Sequence, residues 1–461
     1  MRRTVDFLRS DDLPYLSKPA FRQERAYYFL WALVLGTVEG NLAGVVAAKT
    51  FSASKLLTVI VWALPIVMMS LNLFWGIIIR GRDRKRLFYL LAVGTALFTC
   101  SIGLNSASWQ PWNGWLFAAQ IGLTHFFVTG LVTLRASIWK VNYPDFCRGK
   151  IIGRLQNIHF LFVPSSSAII ALLFNQRPEY YRWVYPAAAA IALIALLPLR
   201  RFRVRHERTT LKQFRSQSRI AHHGFATRLS GLRAGIHEAA SIMRQDVTFR
   251  RYMIAQFALG AANFYTDPIL LNVITRQMNL SYLAVSLIMT AIPGITAWFA
   301  IPYWGTYFDR VGVLRFRLVN CYVWFASFTT VALSMVLYQL FPERIWLTLP
   351  FLLLARVIMG AAHGGGVIAW SLGHLHFARK NQVDLYMSIH VGLTGLRALT
   401  MPGLNLLLNS LVGNFSFLVT IGLAGYASLS FRKLYIEDRT SAQSEEVAMR
   451  QSTPTTETHV T

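Results

Sequence analysis

The sequence predicts an all-α polytopic membrane protein, and three observations carry that prediction. Long apolar stretches recur from Tyr27 nearly to Phe431, each of roughly 20 residues, the length that crosses hydrocarbon at about 1.5 Å per residue. The connectors between them alternate between Arg/Lys-rich and charge-poor. The stretches number twelve, six on either side of a basic connector of 52 residues, Arg200–Arg251.

In order, the predicted transmembrane helices are 27–48, 55–79, 87–107, 115–138, 155–175 and 183–199, then 252–274, 281–303, 316–339, 346–372, 384–408 and 412–431. The chain divides accordingly into a polar N-terminal segment (1–26), an N-terminal six-helix bundle (27–199), the basic connector (200–251), a C-terminal six-helix bundle (252–431) and a tail (432–461). Within the connector, Phe225, Leu229, Leu232, Ile236 and Met243 recur near helical spacing among arginines. That pattern predicts an amphipathic helix lying against anionic lipid, with a solvated linker as the bland alternative. From Glu437 onward the tail is rich in Ser, Thr and Glu without an apolar period, which predicts disorder.

Composition agrees. Charged residues make up 14% of the chain, against about a quarter in soluble domains. Apolar residues make up 54%, and the mean hydropathy of +0.41 excludes an ordinary soluble fold. Three cysteines, an odd number without ligand spacing, argue against a disulfide framework. A net charge of +26 would suggest nucleic acid in a soluble protein, but here the distribution decides. Arg80, Arg82, Arg84, Lys85 and Arg86 fill one connector, and Lys140, Arg148, Lys150 and Arg154 fill another. The central connector holds thirteen Arg/Lys against three acids, whereas Ser106–Gly114 and Asn409–Asn414 carry no charge. By the positive-inside rule the basic side is cytoplasmic, with both termini there, in an inner or plasma membrane. The first 26 residues have no signal-peptide core, so the first span is expected to direct insertion.

The halves echo each other. Leu35-Gly36 matches Leu259-Gly260, Trp75-Gly76 matches Trp304-Gly305, and Ile158-His159 matches Ile389-His390, all in the same order. Such matches point to a duplicated unit. Trp304-Gly305-Thr-Tyr-Phe-Asp309-Arg310-Val-Gly312 resembles the G-x-x-x-D-R-x-G signature of the major facilitator superfamily. The first copy, around Gly76, Asp83 and Arg84, keeps the glycine and the basic cluster but has Arg80 where the acid should stand. The resemblance implies the major facilitator fold, a secondary transporter working by alternating access, and a latch formed by Gly76, Asp83, Arg84, Gly305, Asp309, Arg310 and Gly312. Span five reads Phe162-Val-Pro164-Ser-Ser-Ser167 and lacks the drug–proton antiporter pattern, and no sugar-porter signature is present.

Ionisable groups at membrane depth face a cavity or a partner. The candidates for substrate contact are His125, His159, Arg356, His363, His390 and Arg397; the alternative for each is an interhelical hydrogen bond. Arg356 and His363 are seven residues apart, as are His390 and Arg397, so each pair shares a helix face. Glu39 and Asp267 are the candidates for proton coupling. For Glu39 the alternative is a static partner to an arginine, and for Asp267 a kink with Pro268. Glycines at 36, 40 and 44, and at 360 and 364, provide small faces for close helix packing.

His374, His376, His222 and His223 lack nearby metal-ligand companions, so no metal site is predicted. No phosphate loop and no catalytic signature is present, and neither a cofactor nor an enzyme is expected. The expected partners are the bilayer, with anionic lipid at the connector, and a small anionic or zwitterionic metabolite, with a proton as the candidate coupling ion; nucleic acid is not expected, and the chain is read as a monomer. The rival reading is a transporter-derived receptor, assembly factor or scaffold acting through the connector.

Overall fold

A computed structural model describes residue 10, residues 12–38, 41–79, 82–106, 108–205, 207, 209, 211–212, 237–377 and 383–452. All regular structure among them is helical. The helices are α1 (Lys18–Val38), α2 (Asn41–Lys49), α3 (Lys55–Met69), α4 (Asn72–Ile79), α5 (Arg84–Ile102), α6 (Trp112–Asn142), α7 (Asp145–Gln176) and α8 (Tyr181–Ile194). After the connector follow α9 (Val247–Asn272), α10 (Tyr282–Ser286), α11 (Ile292–Leu340), α12 (Ile345–Leu372), α13 (Val383–Val412) and α14 (Leu418–Ser452). Side-chain oxygens start several of them. Ser54 accepts from the Leu57 N–H at 3.2 Å, Asp83 from Arg86 at 2.8 Å and Asp246 from Phe249 at 2.8 Å, each filling a first-turn donor.

Among the described residues, eight helical segments are long and apolar enough to cross a membrane. Two of them, Tyr282–Leu340 and Ile389–Ser441, have 59 and 53 residues, too long for one crossing of about 30 Å. Each is interrupted by a glycine in a conformation L side chains rarely adopt. Gly312 has φ 72° and ψ 177° inside α11, and Gly413 has φ 61° after α13.

Three apolar cores hold the helices together. One lies at the charge-poor end and draws on the whole chain, from Val38, Phe51 and Trp62 through Phe174 and Tyr185 to Ile274, Tyr282, Met335 and Phe417. The other two lie towards the basic connectors and stay separate. One is built from the N-terminal part (Phe21, Tyr27, Phe88, Leu134, Ile158), with Trp298 packed on its edge. The other is built entirely from the C-terminal part (Phe249, Tyr252, Trp324, Phe328, Phe431). Among the described residues the molecule is therefore joined at one end and divided at the other.

Two boundaries differ most from the sequence reading. The first helix starts at Lys18, inside the segment expected to precede the bundle, because Phe21, Glu24, Tyr28 and Trp31 form a buried stripe at helical spacing. The last helix continues to Ser452, past the boundary expected at 431 and into residues expected to be disordered. There Glu437 accepts from both terminal nitrogens of Arg251 at 2.6 and 3.0 Å, tying α14 to the start of α9. Most of the proposed amphipathic helix falls outside the described residues. Residues 237–245 are helical, and Met243 packs on the C-terminal core.

Candidate functional site

The centre of the joined end is organised by an irregular stretch between α10 and α11. Leu287–Ala291 forms a single π-helical turn, followed by Ile292 and Pro293. Proline has no N–H, so Pro293 cannot donate to the carbonyls four and five residues earlier, those of Met289 and Ile288. Arg356 of α12 fills the gap. Its Nε donates to Ile288 O at 3.0 Å and its Nη2 to Met289 O at 3.2 Å. Its Nη1 donates to Asp267 Oδ1 of α9 at 2.8 Å. Arg356 is 1% exposed, so one buried guanidinium is neutralised by one carboxylate and ties three helices together.

The N-terminal part reaches the same carbonyl. Asn41, at the start of α2, donates through Nδ2 to Met289 O at 2.9 Å and to Thr290 Oγ1 at 3.1 Å. Its Oδ1 accepts from Trp62 Nε1 at 2.9 Å, and the Trp62 ring lies 6.3 Å from that of Phe264. Met289 O is thus shared by donors from both parts of the chain. Further out, the seal consists of neutral contacts and cations on carbonyl or amide oxygens. The hydroxyls of Ser167 and Ser286 lie 3.1 Å apart and those of Thr50 and Tyr282 2.9 Å apart, and Arg276 donates to Ala53 O and to Thr58.

Towards the divided end, two predicted histidines come together across the parts. The His159 ring lies 5.8 Å from that of Phe160, which lies 6.0 Å from His363 of α12. His363 also faces Trp324 at 6.1 Å and feels the charges of Asp267 and Arg356. The other two histidines sit apart from this row. His125 is buried and bonds Val38 O at 2.9 Å, fastening α6 to the end of α1. His390 is buried against the Trp370 ring at 5.4 Å. Arg397 is held by Gln256 O at 2.6 Å and Thr394 Oγ1 at 2.6 Å, between the rings of Phe257 and Phe264. Asp267 lies in the interior as expected, paired with Arg356. Glu39 and Gly40 lie outside the described residues.

The residues predicted to form a latch make different contacts. Asp83 caps α5. The Arg84 N–H donates to Glu207 Oε1 of the connector at 2.7 Å, with the guanidinium 3.9 Å from the other carboxylate oxygen. Gly76 is within α4, and Gly305 within α11 has open space where a Cβ would stand. Asp309 and Arg310 are exposed, next to the break at Gly312. The glycine faces serve close packing: a Cβ at Gly36 would overlap Ser166 of α7, and one at Gly360 would overlap Pro293 O.

Sequence reasoning missed three groups. Asn41 and Trp62 are uncharged and escaped a search for ionisable residues. Glu24 was assigned to the polar N-terminal segment, yet its Oε2 accepts from Trp139 Nε1 at 2.7 Å, with the Arg135 guanidinium 4.4 Å from the Tyr28 ring. Its place on the Phe21–Tyr28–Trp31 stripe was the available signal. Glu24, Arg135, Lys85, Tyr27 and Phe202 line a narrow pocket within the N-terminal part.

No family model and no curated protein matches the sequence. Solved structures do. A D-xylose–proton symporter superposes with a TM-score of 0.64 at 14% identity, over 90% of this chain and 98% of that one. The chain has the major facilitator fold. A nucleoside transporter, NupG, gives 0.62 at 13% identity, over 90% of this chain and 100% of that one. The inward-open xylose transporter XylE from E. coli gives 0.62 at 14% identity, over 90% and 96%. At these identities the likeness is one of fold.

Proposed function

We propose that the protein is a secondary transporter moving a small anionic or zwitterionic solute by alternating access. Its helices would form twelve spans in two six-helix halves, with the basic end and both termini cytoplasmic. The observation that carries this reading is the arrangement of cores, one shared at the charge-poor end and two separate at the basic end. A chain closed on one side and parted on the other fits one state of an alternating-access cycle. The solved neighbours, among them a symporter and a nucleoside transporter, support it by fold.

Charge supports the solute class. Among the described residues, four arginines are buried (Arg154, Arg317, Arg356 and Arg397) against two acids, Glu24 and Asp267. His159 and His363, facing each other across the halves, are the proposed solute contacts; Arg356 serves to position the walls. Asp267 is a site where proton uptake would release Arg356 and loosen the seal, which is how coupling would work. Asp309 and Arg310, exposed here, would close the latch in the opposite state.

The test is counterflow in proteoliposomes with anionic, zwitterionic, cationic and neutral metabolites. Saturable exchange of an anion or zwitterion, reduced at least tenfold by His363→Ala in protein that still folds, is expected. Exchange confined to cations or neutral solutes overturns the solute class. No exchange by protein that interconverts between both states overturns transport.

A further inference from the structure

Arg397 has a second buried arginine for a neighbour, and among the described residues neither has a carboxylate partner. Arg317, near the start of the second half of α11, is 3% exposed, as is Arg397. Its Nη2 donates to the side-chain Oε1 of Gln256, and its Nη1 to Asn320 Oδ1 at 3.1 Å. Arg397 Nη1 donates to the backbone oxygen of that same Gln256. One neutral residue therefore holds two guanidinium groups, and the charge of Arg317 acts on Arg397. The Nε of each is buried and without a hydrogen-bond partner among the described residues. No described acid lies within ion-pair distance of either arginine.

Arg356 shows what a completed site looks like in this protein: a carboxylate at 2.8 Å and a partner for each nitrogen. Arg317 and Arg397 carry the same buried charge without the counter-charge. Two unneutralised cations in a low-dielectric interior repel each other and have lost their hydration, a state costly enough to need compensation. The surroundings keep room for the groups. A Cβ at Gly260 would overlap Nη1 of Arg397, and the walls are the rings of Phe257, Phe264 and Phe431.

We propose that the Arg317–Gln256–Arg397 cluster binds a small anion, a carboxylate or a halide, through the unpartnered Nε–H groups. The two sources share one chemistry: the carboxylate group of a transported solute, or a resident chloride. The binding claim goes beyond transport and stands whether or not the anion is the cargo.

The test is thermal unfolding of the purified full chain in halide-free sodium HEPES, a bulky sulfonate, titrated with sodium chloride or with sodium acetate at constant ionic strength. A saturable rise in Tm is expected with at least one of the two salts. Arg397→Gln and Arg317→Gln should each raise the half-saturating concentration at least tenfold, whereas exposed Arg315→Gln should leave it unchanged. Gln256→Glu places a carboxylate between the arginines, so it should raise Tm in halide-free buffer and abolish the response to added anion. That gain in stability separates the proposal from simple misfolding. A response to acetate alone assigns a carboxylate, and a response to chloride assigns a resident halide. Absence of any saturable response, or a Gln256→Glu variant that is less stable and still responsive, overturns it. Counterflow is read separately, so a failure of transport and a failure of binding are distinguishable.

Discussion

The two ends of this molecule solve the same packing problem differently. At the charge-poor end the N- and C-terminal parts share one core, bridged by Asn41 on Met289 O and by paired hydroxyls. At the basic end each part keeps its own core, and the polar contacts found there stay within a part: Arg84 with Glu207, Arg154 with Asp12 and Arg251 with Glu437. The lesson concerns reversibility. The shared end is held by hydrogen bonds of modest net strength, about 1 kcal/mol each, which can be exchanged for water or solute. The stronger ion pair, Arg356 with Asp267, lies wholly within the C-terminal part, so it braces the seal from one side without itself bridging the parts.

Four changes test that contrast, from large effect to small. Arg356→Ala leaves Asp267 buried and unpaired and abandons two carbonyls, so it should cost about 3–5 kcal/mol, read as a lower unfolding midpoint in detergent. A loss below about 1 kcal/mol would show that the pair is not what fixes this end. Gly312→Ala forces a side chain into a glycine-only conformation and should cost about 1–3 kcal/mol, without altering the charge-poor end. Asn41→Ala should shift the balance towards opening of the charge-poor end by about 1–2 kcal/mol. Spin labels at Lys55 and Asn279 would report this as a longer distance component, and an unchanged distribution would count against the seal. Glu207→Gln should change stability by less than about 1 kcal/mol, since its pair with Arg84 is long and partly solvated.

The fold was legible because lipid imposes it: every backbone group must be bonded within a helix, so hydropathy and length reveal the helices directly. The ends of helices were less legible. Charged and small polar residues such as Glu437 and Ser444 read as solvated tail, although a packed helix can carry them on its exposed side. Within the candidate site, the search for buried charge correctly singled out Arg356, Asp267 and Arg397 as interior residues. Which partner each takes was not legible, because pairing depends on how distant helices are rotated. Asp267 meets Arg356 across two helices far apart in the chain. Arg317 was hidden for another reason: it stands at the very start of the predicted span 316–339, next to Arg315, where an arginine reads as an interfacial residue, and only its rotation into the core reveals it.

Pro293 carries a mechanical consequence. Because Pro293 offers no N–H to Met289 O or Ile288 O and Arg356 donates to both, the bend at the π-turn before α11 and the seat of Arg356 on α12 are coupled. Straightening the bend would unseat the guanidinium, and drawing the guanidinium away would leave the bend without its brace. A solute touching either helix would therefore move both, and a single weak contact would be transmitted across the width of the C-terminal part without any chain of intermediate switches.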